Sequence, residues 1–259
     1  MRNAIDTSRR DAGQPWLEAG GEAFRSRLLV GIEQYESASL VGQVLDASGS
    51  DVFITTMDPS NQRSSLLLSD VVEELPARDF RWIGTTSFAR SAADALTTAR
   101  MLRDSHGINV MKLDVRSAGN WPDNAATIQV AETLCAEGMD VLPFILPSVA
   151  DARTLESLGC AALRVMAAPV GSGRGIPQPW LLREVIDQTA LPVVVEGGLG
   201  TARHATLAME LGAAAVLVNT ALVQAADPVL LAESMKYAVR AGLLANWSRP
   251  MGGDPALDE

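Results

Sequence analysis

Lysine, histidine and cysteine are scarce in this chain of 259 residues. Each occurs only twice, while arginine occurs nineteen times. Two histidines are too few for the usual histidine-based metal site, and Cys135 and Cys160 lack the close spacing of a zinc motif. These counts exclude a metal centre built on either residue type and a fold held together by many disulfides. We expect both thiols to be buried and reduced.

Basic residues are fewer than acidic residues, so the net charge is −10 and the isoelectric point is about 4.7. This balance excludes a general nucleic-acid-binding surface. No apolar run approaches the ~18–20 residues that a membrane span needs, and the N-terminal segment has no apolar signal core. We therefore expect a cytoplasmic protein with neither a membrane nor a nucleic-acid partner. An acidic protein still binds phosphate through backbone amides and helix N-termini.

Residues 109–115 (NVMKLDV) are typical of a buried strand, yet they include two charges. Lys112 and Asp114 are two positions apart, so their side chains share one face of the strand. A partly desolvated lysine forms an imine with a carbonyl group, which arginine does not do. Because the chain has so few lysines, one retained in an apolar strand indicates function. The alternative is a salt bridge that only caps the strand.

Short apolar runs alternate with segments of helical periodicity from residue 27 to about 245. Residues 91–107, for example, begin with a serine N-cap and close with a glycine. Eight β–α units predict a single (β/α)8 TIM barrel over residues 16–247, with flexible tails at 1–15 and 248–259. A doubly wound open sheet is the alternative. The predicted strands lie in residues 27–31, 51–57, 80–86, 109–115, 140–146, 161–169, 191–199 and 213–220. The least regular connection, 58–75, begins as a loop and then turns helical.

Active sites of this fold lie at the C-terminal ends of the strands. Glu196 ends one apolar run and is a second acid–base candidate beside Asp114, and Arg116 is another polar residue at a strand end. Small-residue loops follow strands six, seven and eight, and their glycines let backbone amides approach an anion closely. The predicted phosphate cradle comprises Gly171, Ser172, Gly173, Gly197, Gly198, Asn219 and Thr220. These residues alone predict a phosphosugar enzyme with a Schiff-base lysine, and an aldolase fits as well as any other.

Several long segments resemble the thiazole synthase family (ThiG), in the same order along the chain. They include KLDV (112–115), APVGSGRG (168–175), residues 191–222 and residues 227–245. The resemblance implies that a strand lysine forms an imine with a phosphorylated deoxyketose and that tautomerisation moves the carbonyl to the next carbon. A ubiquitin-like sulfur-carrier protein ending in a Gly-Gly thiocarboxylate then delivers sulfur.

By the same resemblance, Lys112 is the imine lysine and the chain forms a homo-oligomer. Asp114 and Glu196 occupy the acid–base positions, and no cofactor is required beyond the covalent imine. Gly171, Gly198, Asn219 and Thr220 are the positions that hold the phosphate.

The departures from the family pattern lie around the sugar end of the pocket. Asp114 stands where the family usually has glutamate, and Glu196 stands where it has aspartate. Arg164 replaces an apolar residue, and residues 85–88 (TTSF) replace the family's Asn-Thr-Ala/Ser-Gly. The matching phosphate loops and altered sugar end favour the same chemistry on a different phosphosugar.

One branch of the family, the BexX-like 2-thiosugar synthases of antibiotic biosynthesis, acts on glucose 6-phosphate. We predict membership of this branch, with Thr86 and Arg164 contacting the substrate. The alternatives are a thiamine thiazole synthase acting on 1-deoxyxylulose 5-phosphate, and a non-catalytic barrel that binds a phosphosugar or the carrier.

Overall fold

The computed structural model describes residues 14–248, except residues 33, 36, 57–79 and 118. The described strands are β1 (Leu17–Ala19), β2 (Glu22–Phe24), β3 (Leu28–Val30), β4 (Val52–Thr55), β5 (Arg81–Thr85), β6 (Val110–Leu113), β7 (Asp140–Ile145), β8 (Leu163–Met166), β9 (Val193–Glu196) and β10 (Ala215–Val218). The described helices are α1 (Ala38–Ser48), α2 (Ala92–His106), α3 (Asn124–Ala136), α4 (Val149–Ser157), α5 (Pro179–Gln188), α6 (Ala202–Glu210), α7 (Thr220–Val223) and α8 (Pro228–Ser248). Nearly all of the two predicted tails and the whole of the predicted connection 58–75 lie outside the described residues.

The eight strands from β3 to β10 form one parallel sheet. From β4 to β10 each strand pairs with the next one along the chain, and β10 pairs with β3. β3 and β4 lie side by side, so the sheet curls round until its first strand is flanked by the second and the last. This order is that of a barrel and differs from an open doubly wound sheet. The predicted (β/α)8 TIM barrel is confirmed, and each of the eight predicted runs contains one strand.

β1 and β2 form an antiparallel hairpin that the sequence patterns do not predict. Leu17 pairs with Phe24, and the connecting Gly20 and Gly21 have φ angles of 61° and 76°. Leu17 and Phe24 pack against inward-pointing barrel residues such as Leu29. The hairpin therefore closes the N-terminal end of the barrel. Three-residue strands are too short for an alternating pattern to be recognised in the sequence.

The helices return the chain to the N-terminal end of the barrel before each new strand. In α2, the Ser91 hydroxyl accepts a hydrogen bond from the Asp94 amide at 3.1 Å, and Gly107 ends the helix with a φ of 68°. The helix predicted between these two residues is confirmed. Because every strand runs in the same direction, the C-terminal ends of all eight strands meet at one mouth.

Charged side chains are buried only around this mouth, among the described residues. They belong to Lys112, Asp114, Arg116, Arg164 and Glu196, each no more than 9% exposed. Apart from a few buried serine and threonine side chains, the rest of the described interior is apolar, with one layer inside the barrel and another between the sheet and the helices. Burying five charged groups costs free energy unless they bind one another, so their arrangement defines the candidate site.

The two cysteines of the chain lie close together in the fold. The Cys135 and Cys160 sulfur atoms lie 3.8 Å apart although 25 positions separate them in the sequence, and both thiols are free.

Among the helices that the structure describes, none is long and apolar enough to cross a lipid bilayer.

Candidate active site

Lys112 and Asp114 lie together, as their spacing predicts. Lys112 is the third residue of β6, and Asp114 directly follows the strand. The Lys112 Nζ donates a hydrogen bond to Asp114 Oδ2 at 3.0 Å, and the two side chains are only 7% and 0% exposed. The amine is therefore held against a carboxylate and is largely screened from water.

Glu196 completes a pair of carboxylates around the amine. It is the last residue of β9, and its Oε1 lies 3.6 Å from Lys112 Nζ. Its other oxygen, Oε2, accepts from Arg164 Nε at 2.7 Å. Oε1 thus points toward the lysine while Oε2 anchors the side chain.

Arg164 binds both carboxylates of the site, and its predicted contact with the substrate stays a prediction. Its side chain, on β8, is 1% exposed and lies beneath the amine. Its Nη1 is 3.1 Å from Asp114 Oδ2, and its Nη2 is 2.6 Å from Glu196 Oε2. The guanidinium also donates to the Leu113 and Leu142 carbonyls, both at 3.3 Å. With its donors committed in this way, Arg164 positions both carboxylates.

Arg116 is a third cation beside Asp114, and the sequence predicts no role for it. Its Nη2 donates to Asp114 Oδ1 at 2.7 Å, and its Nη1 donates to Asn120. The Arg116 and Arg164 guanidinium carbons both lie over the ring of Phe144, at 5.2 and 4.8 Å from its centroid. Arg116 is two positions beyond Asp114, so the rule that pairs Lys112 with Asp114 is the signal that could have found it. No sequence signal distinguishes Phe144 from an ordinary buried strand residue.

Asp114 is an ionised carboxylate with little basicity. Burial by itself would raise the pKa of Asp114, but the charges of Arg164, Lys112 and Arg116 hold that pKa well below its usual range. A carboxylate with a lowered pKa accepts a proton poorly. Its chemical capacity is to stabilise a positive charge on the nitrogen of Lys112.

Thr86 lies at the site with its hydroxyl bound to the backbone, and its predicted contact with the substrate stays a prediction. Its Oγ1 donates to the Asp114 carbonyl and accepts from the Asp114 amide, both at 2.8 Å. Thr86 is fully buried and fixes the backbone that carries Asp114. The neighbouring Ser87, which the sequence analysis missed, accepts from Lys112 Nζ at 3.3 Å. Its Oγ also lies 2.7 Å from Thr85 Oγ1.

A cavity of about 320 Å³ opens beside Glu196 at the ends of β8, β9 and β10. Six of the seven predicted phosphate-binding residues line it, namely Gly171, Gly173, Gly197, Gly198, Asn219 and Thr220. Ser172 lies in the same loop, but its hydroxyl accepts from the Arg174 amide at 3.4 Å and does not line the cavity. The three predicted loops therefore converge on one concave site that adjoins the lysine and its carboxylates.

Gly197 and Gly198 are required by the close approach of two loops. Their φ angles are 82° and 71°, a conformation that other residues rarely adopt. A Cβ on Gly197 would lie 2.6 Å from the Ala168 carbonyl oxygen, and one on Gly198 would lie 2.4 Å from the Ala168 Cβ. The backbone can therefore approach an anion here, as a phosphate cradle requires.

His204 supports the same wall of the cavity. Its Nδ1 accepts from the Gly200 amide at 3.0 Å, and a Cβ on Gly175 would lie 2.6 Å from its Nε2. Burial lowers the pKa of His204, so the imidazole is neutral at neutral pH and its Nδ1 can accept that hydrogen bond. Its sequence position indicates a surface helix residue; in the structure it holds the loop before α6.

Comparisons with solved structures agree with the fold. The chain is similar to BexX in the crystal structure of the Amycolatopsis orientalis BexX/CysO complex, with 62% identity and a TM-score of 0.90 over 93% of this chain and 98% of the other. It shares only its fold with 3-hexulose-6-phosphate synthase, at 16% identity and a TM-score of 0.57.

Curated relatives and a family model identify the family. Thiazole synthase of Maricaulis maris is 38% identical over 93% of this chain and 91% of its own length, and that of Methylobacillus flagellatus is 38% identical over 87% and 88%. The family model described as thiazole biosynthesis protein ThiG matches residues 18–254. The chain therefore belongs to the thiazole synthase family, a family of sulfur-transferring enzymes.

Proposed function

We propose that the chain is a sulfur-incorporating synthase that converts glucose 6-phosphate into a 2-thiosugar phosphate through an imine on Lys112. One observation carries the proposal: a buried amine lies between two carboxylates beside a glycine-lined cavity. The amine suits attack on the aldehyde of an open-chain phosphosugar, the carboxylates suit transfer of its protons, and the cavity suits its phosphate.

The first half of the reaction uses the lysine and Glu196. The neutral amine of Lys112 attacks the aldehyde at carbon one, and loss of water gives an imine. Glu196 Oε1, at 3.6 Å from the nitrogen, takes the proton from carbon two and returns a proton to carbon one. The hydroxyl proton of carbon two passes to the imine nitrogen, which leaves a ketone at carbon two and a secondary amine at carbon one. Asp114, ionised and anchored, stabilises the cationic nitrogen and does not compete for the proton.

The second half requires a sulfur donor. The thiocarboxylate sulfur of a ubiquitin-like carrier ending in Gly-Gly attacks carbon two, and the acyl group then moves from sulfur to the former ketone oxygen. The carrier leaves as a carboxylate with that oxygen, which gives a thioketone at carbon two. Reverse tautomerisation restores the imine at carbon one with a thiol at carbon two, and water hydrolyses the imine to release the 2-thiosugar phosphate from Lys112. The structural neighbour BexX in complex with CysO supports a carrier of this kind. Its 62% identity, against 38% for the thiazole synthases, favours the 2-thiosugar branch.

The experiment is reductive trapping. The enzyme is incubated with glucose 6-phosphate and reduced with borohydride, and the modified peptide is located by mass spectrometry. We expect the sugar phosphate on Lys112, no adduct on the Lys112→Arg variant and an unchanged adduct on Lys236→Arg. The last variant is a matched control because it changes the only other lysine of the chain.

The second candidate is a thiamine thiazole synthase, favoured by the names of the curated relatives. Trapping with 1-deoxyxylulose 5-phosphate but not with glucose 6-phosphate would establish it and refute the thiosugar proposal. Trapping with neither sugar, in an enzyme that still binds a phosphosugar or the carrier, would support a non-catalytic barrel.

A further inference from the structure

A second cavity lies at the opposite end of the barrel from the lysine site. It has a volume of about 180 Å³ and lies between the segment that leads into β3, the C-terminal end of α1 and the middle of α8. We call it the basic cavity. Its lining residues include the cations Arg25, Arg27, Lys236 and Arg240.

The charge of the basic cavity is opposite to that of the whole molecule. The chain has a net charge of −10, yet four cations and no carboxylate are among the described residues that line this cavity. Lys236 is one of only two lysines, and the other is the lysine of the candidate active site. Like charges at close range repel one another, and a bound anion removes that repulsion. Arg25 has interactions within the fold, and the Asp51 carboxylate accepts from the amide of the lining residue Ser26, so the cations left for an anion are Arg27, Lys236 and Arg240.

Two of the cations are held in place by the fold. Arg27 Nη1 donates to the Ala214 carbonyl at 2.6 Å, while its Nε is buried and has no hydrogen-bond partner among the described residues. A buried donor without a partner is costly, and an anion that accepts from it recovers that cost. The Lys236 stem packs against Gly49, where a Cβ would lie 3.2 Å from Lys236 Cδ. Burial also lowers the pKa of Arg27, which a bound anion would oppose.

We propose that the basic cavity binds a phosphate-bearing anion, independently of the phosphosugar at the other end of the barrel. Arginine guanidinium groups bind phosphate oxygens through paired hydrogen bonds, and lysine contributes a point charge. The volume suits one or two phosphate groups and is small for a nucleotide. Inorganic pyrophosphate is therefore the probe, and inorganic phosphate is the second ligand, which separates a one-phosphate from a two-phosphate site.

The test counts binding sites by calorimetry. Because the proposed function places a phosphate in the glycine-lined cavity, we expect two equivalents of pyrophosphate on the native protein. The double variant Arg27→Gln/Arg240→Gln should lose one equivalent, or bind it at least about tenfold more weakly, and should keep the other. The matched control is Arg100→Gln/Arg103→Gln, which removes the same charge from a surface cluster around Glu137 and should keep both equivalents.

Two outcomes would overturn the proposal. One is an unchanged stoichiometry and affinity in the Arg27/Arg240 variant, and the other is an equal loss in the control. If Arg27→Gln prevents folding, the exposed Arg240→Gln alone provides the test, with a several-fold weaker second equivalent expected. Pyrophosphate should also raise the Tm of the native protein more than that of the Arg240→Gln variant. The equivalent that requires Arg27 and Arg240 does not depend on the proposed function. If trapping fails and the glycine-lined cavity binds no pyrophosphate, the native protein should still bind one equivalent that the double variant loses.

Discussion

At the scale of single residues, the two carboxylates around Lys112 differ in what they can do. Asp114 touches three cations and has a lowered pKa, whereas Glu196 keeps one oxygen directed toward the lysine. Relative to the family pattern, Asp114 replaces a glutamate, Glu196 replaces an aspartate, and Arg164 replaces an apolar residue. Arg164 contacts both carboxylates, so the three replacements form one connected arrangement.

Replacing Asp114 by asparagine should destabilise the protein in a pH-dependent way. Because the pKa of Asp114 is lowered in the folded state, its charge stabilises the fold above its unfolded pKa of about 4. That contribution is lost as the pH falls through the folded pKa. We expect Asp114→Asn to lower the free energy of unfolding by about 3–5 kcal/mol at pH 7, with a smaller difference below about pH 4.

Urea denaturation at a series of pH values measures this difference. Asp104→Asn is the control, since it removes the same charge from an exposed side chain that pairs with Arg103. A difference between native protein and Asp114→Asn that stays constant down to pH 3 would contradict the assignment of the lowered pKa.

Replacing Arg164 by methionine should leave Asp114 and Glu196 without their common cation. The buried carboxylates then repel each other, and we expect a loss of about 3–5 kcal/mol in the free energy of unfolding together with slower imine trapping on Lys112. Arg164→Lys should not restore either property, because an ammonium lacks the planar set of donors that reaches both carboxylates.

Denaturation and trapping rates are measured on the same preparations. If Arg164→Lys behaves like the native protein, a single charge is sufficient and the bonding geometry is unimportant. The pH profile of trapping separates the two roles, since a purely structural arginine would lower stability without changing that profile.

At the scale of secondary-structure elements, glycine decides how closely neighbouring segments approach. Gly197 and Gly198 allow the loop after β9 to contact Ala168, and Gly242 has the same effect between α8 and α6. A Cβ on Gly242 would lie 2.4 Å from the Thr206 carbonyl oxygen and 2.8 Å from the Met209 Cβ. The position of α8 also matters for function, because α8 contributes Leu231 to the active-site cavity.

Replacing Gly242 by alanine should therefore destabilise the protein, although alanine is the better helix former by about 1 kcal/mol. The overlap with the backbone of α6 should cost more than this gain, for a net loss of about 1–3 kcal/mol. Ala241→Gly, at the exposed neighbouring position, is the control and should lose about 1 kcal/mol from helix propensity alone. An increase in the urea midpoint of Gly242→Ala would show that the helices separate without cost.

At the scale of the whole molecule, the two ends of the barrel have different surroundings. The mouth carries the buried charges and the glycine-lined cavity, and exposed aromatic side chains lie on that side, among them Trp121 in the loop after β6 and Trp180 in the first turn of α5. The other end is closed by the β1–β2 hairpin and carries the basic cavity. If the proposed carrier brings its C-terminus to Lys112, it has to approach at the mouth, where exposed aromatic side chains favour protein contacts.

Truncating Trp121, which is 45% exposed, should weaken binding of the sulfur carrier. We expect Trp121→Ala to raise the Kd by about tenfold or more, in the range of an aromatic residue at an interface. Tyr237→Ala, which removes a 61% exposed ring from the outer side of α8, is the matched control and should leave the Kd unchanged. Calorimetry with the carrier measures both, and equal effects of the two variants would place the docking surface elsewhere.

Much of the barrel could be predicted from the sequence because its signals are local. A strand buried on both faces is a continuous apolar run, a helix begins at a residue such as Ser91 and ends at a glycine, and a tight loop needs glycine where φ is positive. For the same reason, the sequence places Lys112 beside Asp114 and brings the glycines of three loops to one mouth. The β1–β2 hairpin escapes prediction because its strands are too short to carry a pattern.

Only the tertiary structure decided which side chains contact one another across the barrel. Arg164 binds Asp114 and Glu196, which lie 50 and 32 positions away, and Thr86 uses its hydroxyl on the Asp114 backbone 28 positions away. Such contacts depend on the register between strands and on the curvature of the sheet, and neither property is written in any local run of residues. The sequence by itself determined a barrel with a lysine and a carboxylate on one strand face and three glycine-containing loops at one mouth. The closed fold determined that Arg164 and Thr86 support Asp114 and that four cations meet at the opposite end.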